Sequence, residues 1–481
     1  MTTAAAQRVD LSLISHTNAG KTTLARTLLR RDIGQVADRP HVTEQAECDV
    51  LIESSSADTL VLWDTPGFGD SVRLLKRLQQ GDHALGWFLT QVWDRLADRP
   101  FWCGQQAMRN AREVSDVILY VVNASESPSS AAYVDAEMRI LCWFNKPVIL
   151  LLNQIGPPRD DAHSQTEVKE WQAYGARYPC VRSVLPFDAF ARCWVQEGTL
   201  LTEVQRLLSD GKRAAFERLQ DAWKRRNLAV FDQSMQAVAR HIAAMVADSE
   251  PIVDLNLQGK ARAWLGAAAN AIKGTADRGN AELERAQQAL DSRLYVQIRA
   301  TTEELVRLHG LTGSATEEVL QRMGSDYQVQ RPADADKAGV LGGIVSGALG
   351  GLAADLGAGG LTFGAGAVIG SVLGAFGARG LAKAYNLARG SDAGSVRWSA
   401  EFLESRIAAA LMRYLAVAHF GRGRGQFVTG APPAHWIRAV REALATRQDE
   451  LKSACDVNAT AASVLPLVSA SMAEVLARLY P

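Results

Sequence analysis

The sequence predicts two unlike parts: an α/β domain with a mostly parallel six-stranded sheet in residues 1–198, and a mainly α-helical domain in residues 199–481. In the first part, short apolar runs alternate with amphipathic stretches, which is the pattern of a parallel sheet covered by helices. After Gly198, stretches rich in Ala, Leu, Gln, Arg and Glu repeat apolar residues at three- and four-residue spacing. A chain of 481 residues also exceeds the roughly 250–300 residues at which a single core stops growing.

Six apolar runs are expected to form the sheet. They are Val9–Ser15, Cys48–Ser54, Thr59–Asp64, Val117–Asn123, Val148–Asn153 and Val181–Pro186. Several are apolar almost throughout, as strands covered on both faces should be. The helical regions expected after them, with breaks, are Thr199–Ala247, Val253–His309 and Val396–Tyr480.

The composition excludes few functions. Acidic and basic residues balance at 52 each, so the chain as a whole carries no strong nucleic-acid signal. The six cysteines lack metal-ligand spacing and are expected to be reduced thiols. The first residues, MTTAAAQRVDLSL, do not resemble an export leader, so a cytoplasmic location is expected.

The segment SHTNAGKT has the order expected of a phosphate-binding loop, because it follows the first strand and runs into a helical stretch. Backbone N–H groups and the positive end of the helix dipole would face the phosphates. Lys21 would reach the terminal phosphates, and the Thr22 hydroxyl would bind Mg²⁺. Where the usual motif begins with glycine this chain has Ser15, which would be strained if that position required positive φ. The expected phosphate-binding residues are Ser15, His16, Thr17, Asn18, Ala19, Gly20, Lys21, Thr22 and Thr23.

A second phosphate-handling motif, DTPGFGD, ends the third strand. Asp64 would anchor the Mg²⁺ shell, and Gly67 would let its backbone N–H approach the γ-phosphate. Thr43, in the loop before the second strand, could close over Mg²⁺ and the γ-phosphate, although it could equally be a surface threonine in a turn. The expected metal ligands are Thr22, Thr43 and Asp64, and the expected catalytic groups are Lys21, Thr43 and Gly67.

These motifs resemble the Era and TrmE branch of the translation-factor-related P-loop GTPases. The resemblance implies an α/β P-loop GTPase domain that binds GTP with Mg²⁺ as cofactor and hydrolyses it to GDP. The whole arrangement also looks like a bacterial family of GTPases whose C-terminal half is an uncharacterised domain.

Two positions depart from the usual GTPase pattern. Phe68 occupies the position where many switches place a water-orienting glutamine, which predicts slow intrinsic hydrolysis. At the guanine-reading position, Asn153 and Gln154 are present and Asn153 can tie the base loop to the phosphate loop, but Gly156 offers no carboxylate to the base. Guanine specificity is therefore implied by the resemblance. Substitutes for the missing carboxylate could come from Asp160, Asp161 or the loop Leu185–Phe190, each of which could also be an ordinary loop residue.

An insertion, residues 70–115, follows the second motif. Within it, Gly86–Trp102 repeats large apolar residues at near-helical spacing, which predicts an amphipathic helix. This helix could simply pack onto the helical half, or it could move with the γ-phosphate state and signal to that half.

A glycine-rich apolar segment, residues 338–378, contains Asp355 as its single charge. Small residues recur at every fourth position, as in paired membrane helices, which predicts an apolar helical hairpin. The segment could enter the inner membrane, contact a membrane protein, or stay buried in a helical bundle.

These observations favour a cytoplasmic GTP-dependent switch whose helical domain associates with a membrane or a partner, reversibly and at the membrane periphery. Two alternatives stay open: an RNA- or ribosome-associated Era-like GTPase, and a nucleotide-binding interaction protein that does not hydrolyse. The sequence leaves oligomerisation open.

Overall fold

The computed structural model describes residues 5–17, 19–29, 47–68, 70–79, 99–153, 161–187, 193–252, 277–311, 385–388, 394–419 and 434–480. The chain divides into two compact units. One comprises Met1–Ala229 with Ala418–Gln426, and the other comprises Val230–Val417 with Phe427–Pro481.

The first unit is built on a six-stranded sheet with the order β2-β3-β1-β4-β5-β6. Its strands are β1 (Arg8–Ser15), β2 (Glu47–Glu53), β3 (Thr59–Asp64), β4 (Val117–Asn123), β5 (Val148–Asn153) and β6 (Val181–Pro186). β2 runs antiparallel to β3, and the other neighbours are parallel. All six predicted strands are present, each within one residue of its predicted ends.

The helices described in this unit follow the strands in sequence. They are α1 (Lys21–Leu29), α2 (Ser71–Leu78), α3 (Arg99–Glu113), α4 (Ala132–Cys142), α5 (Asp161–Gly175), α6 (Trp194–Leu207) and the first part of α7 (Asp210–Ala247). Of the predicted helix Gly86–Trp102, the last residues belong to α3, and residues 86–98 lie outside the described part.

The sheet is covered on both faces, which explains why its central strands are apolar throughout. In β4, Ile118 and Tyr120 belong to one apolar cluster, together with side chains of α2, α3 and α4. The alternate residues, Val117 and Leu119, belong to a second cluster with α1, α6 and α7. Successive side chains of a strand point to opposite faces, so a strand covered by helices on both faces needs apolar residues at every position.

The first unit extends beyond the predicted domain boundary at residue 198. Leu200 and Leu201 of α6 and Phe216 and Leu219 of α7 are buried in the same cluster as the sheet residues. Sequence periodicity predicted these helices but not that they pack against the sheet, because an amphipathic pattern does not specify which surface its apolar face contacts.

Charged contacts also fix α7 to the first unit. The guanidinium of Arg218 donates to both carboxylate oxygens of Asp58, at 2.7 and 2.9 Å, in the turn between β2 and β3. The Lys212 ammonium donates to both oxygens of Asp116, just before β4, at 2.6 and 2.8 Å. Asp58 is fully buried and also accepts from the Ser54 hydroxyl, so its charge is compensated by several donors.

One expectation about the cysteines was wrong. Cys142 and Cys180 form a disulfide, with their Cα atoms 5.0 Å apart, whereas reduced thiols were expected. The bridge joins the end of α4 to the residue before β6. Cys48, Cys193 and Cys455 are not disulfide-bonded.

The second unit is mainly helical but contains a small sheet that was not predicted. The helices are the remainder of α7, α8 (Asp277–Leu308), α9 (Ala400–Ala418), α10 (Ala434–Ala445), α11 (Gln448–Ala454) and α12 (Ala461–Leu479). Strands β7 (Ser249–Ile252), β8 (Tyr385–Ala388) and β9 (Gly394–Trp398) pair antiparallel in the order β7-β9-β8. Val396, where a helical region was predicted to begin, therefore lies in strand β9.

Within the described part of the chain, α12 is the one helix long and apolar enough to span a membrane. One face of it, including Leu467, Val468 and Met472, is buried in the second unit. A core helix has the same length and composition, so this feature by itself is weak evidence for a span. The glycine-rich segment 338–378 lies outside the described residues.

Replacing Asp58 with Asn should lower the free energy of unfolding by about 2 kcal/mol at neutral pH. Hydrogen bonds from Arg218 come first among the causes that lower the pKa of Asp58, from 3.8 to about 2. The stabilisation is therefore present above pH 3.8 and is lost as the pH falls toward 2. Urea unfolding of the wild type and Asp58→Asn should differ by a constant amount from pH 5 to 8 and converge as the pH falls to 2 and below.

Glu303→Gln is the matched control, because Glu303 pairs with Arg299 on an exposed helix face. Its removal should cost less than about 1 kcal/mol. An equally small loss for Asp58→Asn would contradict a stabilising role for the buried pair.

Candidate nucleotide-binding site

The phosphate-binding loop connects the central strand to the first helix. β1 ends at Ser15 and α1 begins at Lys21. Ser15 pairs with Val121 of β4, and its hydroxyl donates to the carbonyl oxygen of His16. Among the described non-glycine residues, positive φ occurs at Ala57 and Asn145. The backbone of Ser15 is therefore ordinary strand, and replacing the customary glycine causes no strain there.

Glycine is required at the other end of the loop. Gly20 has φ +87°, which side chains rarely permit, and its carbonyl oxygen accepts from the backbone N–H of Leu24 at 2.9 Å. The loop therefore leads directly into α1, with the Gly20 carbonyl accepting the first helical hydrogen bond. Lys21, the first helical residue, is 8% exposed, so its ammonium group belongs to a largely enclosed site. The positive end of the helix dipole lies at the same point.

Thr22 and Asp64 supply two oxygen groups side by side. The Thr22 hydroxyl donates to Oδ2 of Asp64 at 2.6 Å, and Asp64 is 4% exposed. Asp64 ends β3, directly beside Leu13 of β1. A hydroxyl and a carboxylate are hard oxygen donors, and Mg²⁺ in phosphate sites typically uses one or two carboxylates and takes its other ligands from phosphate and water. These two side chains therefore fit a magnesium ion. Thr43 lies outside the described residues.

The two phosphate motifs are joined through their main chains. The Phe68 N–H donates to the Ser15 carbonyl at 2.8 Å, and the Thr17 N–H donates to the Phe68 carbonyl at 3.2 Å. A Cβ atom at Gly67 would lie 3.0 Å from the Cα of Thr17. A side chain at this position would push the main chain of Thr17 away, so glycine lets residues 64–68 follow the phosphate loop closely.

The Phe68 side chain belongs to the core. It is fully buried in the cluster that contains Leu74, Leu75 and Met108 of α2 and α3. A phenyl ring cannot orient water by hydrogen bonding, and here it is committed to apolar packing. The side chain at this position is thus a structural link between the second phosphate motif and α3.

Asn153 makes the contact expected from the sequence. It is fully buried at the end of β5, and its Nδ2 donates to the carbonyl oxygen of Ala19 at 2.9 Å. The base-side loop is therefore tied to the phosphate loop. Phe187 of the predicted loop Leu185–Phe190 is buried in the core. Asn18, Gln154, Gly156 and Asp160 lie outside the described residues, and the structure describes the backbone of Asp161 but not its side chain.

A polar group beside the loop was not anticipated from the sequence. Nδ1 of His16 lies 2.7 Å from Oε1 of Glu137, and the Tyr120 hydroxyl donates to the other carboxylate oxygen at 2.6 Å. The His16 ring also stacks on Tyr133, with the ring centroids 4.3 Å apart. Burial first, and the Glu137 charge second, hold the pKa of Tyr120 well above its usual value, so this hydroxyl remains a donor. The signal in the sequence was Glu137, which stands at helical spacing with the apolar residues Val134, Met138 and Leu141 of α4.

Comparison with known proteins agrees with this geometry. Residues 10–154 match the family described as 50S ribosome-binding GTPase, and residues 180–466 match the Domain of unknown function (DUF3482).

Three solved structures illustrate the likeness. Era from Aquifex aeolicus bound to GDP.AlF4- is 17% identical, with a TM-score of 0.32, over 42% of this chain and 57% of that chain. Era in complex with MgGDPNP and nucleotides 1506–1542 of 16S ribosomal RNA is 17% identical, with a TM-score of 0.32, over 43% of this chain and 58% of that chain. A GTP-binding protein from the archaeon Sulfolobus solfataricus, in complex with GDP, is 14% identical, with a TM-score of 0.25, over 44% of this chain and 52% of that chain. This chain spans less than three fifths of the Era chains, and TM-scores of this size carry no functional argument.

Sheet order, phosphate loop and family match together define an Era-like P-loop GTPase domain. The second match covers more than half of the chain, so the protein belongs to the family defined by the Domain of unknown function (DUF3482). Both resemblances inferred from the motifs are thereby confirmed. The ribosome-binding description of the GTPase family stands against the expectation of no strong nucleic-acid signal.

Replacing Phe68 with Gln should destabilise the protein by about 3 kcal/mol without raising turnover. The side chain at this position enters the apolar cluster, so a glutamine there would have to bury an amide. Phe68→Leu, which keeps an apolar group, should retain most of the stability. Thermal unfolding and phosphate release should be measured on the same preparations; a tenfold gain in turnover at unchanged stability would contradict this account.

Proposed function

We propose that this protein is a magnesium-dependent GTP-hydrolysing switch with slow intrinsic turnover. The observation that carries the proposal is the union of the two phosphate motifs: Thr22 bonded to Asp64, and Gly67 packed against Thr17. Either short motif could occur by chance on its own. Their assembly around the N-terminus of α1 is what a bound triphosphate requires.

Each group has a chemical role in this proposal. Lys21 neutralises charge on the terminal phosphates, while Thr22 and Asp64 hold Mg²⁺, which when bound offsets the charge that develops during phosphoryl transfer. The Gly67 N–H detects the γ-phosphate, and Thr43 closes the preceding loop over it. Asn153 and Gln154 are assigned to the base side from their place after β5 in the sequence, and guanine is the expected base from the family.

Slow turnover follows from the position of Phe68. In assisted switches a polar side chain orients the attacking water, but the side chain here is buried in the core. Water must therefore be oriented by a backbone group, by another side chain, by a monovalent cation or by a partner.

The turn between β2 and β3 offers a route for the nucleotide signal. β2 follows the Thr43 loop and β3 ends at Asp64, so both strands connect directly to nucleotide-sensing segments. The turn between them is bound to α7 through Asp58 and Arg218. α7 continues without interruption to Ala247, beyond the end of the first unit at Ala229. A displacement of the β2–β3 turn would therefore act on a helix that enters the second unit.

Purified protein with Mg²⁺ should bind GTP and GDP more tightly than ATP, and should turn over GTP below about 1 per second, far under assisted rates. Lys21→Ala should abolish binding by removing the charge at the phosphates. Lys146→Ala is the matched control, because that ammonium donates to the Ser115 carbonyl at the opposite edge of the sheet. Calorimetry gives the affinities and phosphate release the rate.

Three results would contradict the proposal in separate ways. Failure to bind any purine nucleotide would remove the function. Equal affinity for GTP and ATP would remove the guanine assignment. Binding without any phosphate release, alone or with partners, would favour a nucleotide-binding interaction protein.

For the cellular role, we propose a cytoplasmic protein that associates reversibly with the inner membrane, or with a membrane protein, through residues 338–378. The support is the composition of that segment: a single charge, Asp355, and glycine at every fourth position. An RNA- or ribosome-associated role is the second candidate. It is favoured by the description of the matching GTPase family as ribosome-binding.

Flotation with liposomes of phosphatidylethanolamine and phosphatidylglycerol should carry the wild type upward when a non-hydrolysable GTP analogue is present. Gly347→Lys combined with Gly370→Lys should stop this, because a lysine at a helix centre costs about 3 kcal/mol on insertion. Charge placed outside the segment, by Gly211→Lys, is the control, since nothing lies within 4 Å of a Cβ there. Identical flotation of all three proteins would remove the membrane proposal.

The same preparations should be titrated with a ribosomal RNA fragment over a range of salt concentrations. Tight, salt-dependent RNA binding without flotation would establish the second candidate in place of the first.

A further inference from the structure

The side chain of His16, in the phosphate loop, is held by a separate helix. Its Nδ1 lies 2.7 Å from Glu137 of α4, and its ring stacks on Tyr133 of the same helix. Tyr133 in turn donates its hydroxyl to Glu126 at 3.3 Å, and Tyr120 of β4 donates to Glu137. The imidazole is therefore fixed by a hydrogen bond at its edge and by an aromatic ring on its face.

The chemistry of this group indicates a purpose beyond packing. Glu137 is fully buried, and a buried carboxylate is costly unless donors satisfy its oxygens. Here one oxygen faces His16 and the other faces Tyr120. Because Glu137 accepts, the Nδ1 atom of His16 carries a proton and the tautomer is set by the contact. A rigid, charge-assisted contact of this kind is stronger and more directional than an apolar one.

The main chain of His16 connects this contact to the second phosphate motif. His16 forms a parallel bridge with Phe68. The neighbouring residue, Thr17, donates to the Phe68 carbonyl and lies against Gly67. The position of the His16 ring thus fixes residues 15–17, and these fix residues 67–68.

We infer that His16 is a positioning residue: its imidazole, held by Glu137 and Tyr133, places the main chain of Thr17 and thereby Gly67 for recognition of the γ-phosphate. The inference rests on the proposed function of this site as a GTP site. It makes a specific distinction, because Gly67 would meet the γ-phosphate and not the β-phosphate. Loss of the imidazole should therefore weaken triphosphate binding more than diphosphate binding.

The test compares the affinities of full-length variants for GDP and for a non-hydrolysable GTP analogue, with Mg²⁺. His16→Ala should bind the analogue about tenfold more weakly, which corresponds to the loss of one charge-assisted hydrogen bond, and GDP less than threefold more weakly. A general loosening of the fold would weaken both nucleotides equally.

Two further variants keep the inference testable if His16→Ala does not fold. His16→Asn places an amide N–H near the Nδ1 position and should retain much of the analogue affinity. Tyr178→Phe is the matched control, since it removes a hydroxyl that donates to Asp135 of the same helix and not to the His16 group, and it should bind both nucleotides as the wild type does.

Analogue affinity within twofold of wild type for His16→Ala, or equal losses for both nucleotides, would overturn the inference. If His16→Ala is insoluble, a tenfold or greater loss of analogue affinity in His16→Asn would do the same. Failure of the wild type to bind either nucleotide would instead overturn the proposed function, so the two failures are distinguishable.

Discussion

The main-chain pairing between residues 15–17 and Phe68 is the constraint on which the rest of the site depends. Two hydrogen bonds join the phosphate loop to the second motif, and they are allowed because Gly67 has no side chain. This pairing brings the end of β3 next to the start of α1, where Asp64 meets Thr22. It also sends the Phe68 ring into the core, which removes the position that a water-orienting side chain would occupy.

The surroundings of the loop make that pairing rigid. The central strand β1 is enclosed by apolar layers on both faces, and the loop that follows it is held at two points by side chains from other elements. Asn153 binds the carbonyl of Ala19, and Glu137 binds His16. Within β1 itself, the Leu13 carbonyl accepts from the Thr65 hydroxyl. A phosphate cradle fixed in this way pays little reorganisation when an anion arrives, which is the usual requirement for tight binding by backbone N–H groups.

Much of the first unit could be predicted because its signals are local. Strands covered on both faces read as continuous apolar runs, and all six were located within a residue. The small sheet of the second unit was missed because its strands are short and pair over long distances, as Ser249 does with Arg397. The disulfide between Cys142 and Cys180 was missed for a similar reason: nothing in their spacing of 38 residues indicates that a helix end and a strand start lie side by side.

The sequence alone determined the sheet, the phosphate loop, the Thr22 and Asp64 set and the role of Asn153, because these depend on backbone geometry and on short motifs with fixed spacing. The tertiary structure decided which side chains those motifs meet. His16 finds Glu137 across 121 residues, and Asp58 finds Arg218 across 160. It also decided that α6 and the start of α7 belong to the first unit. Periodicity shows that a helix has an apolar face, but only packing in three dimensions determines what that face contacts and which charges are buried beside it.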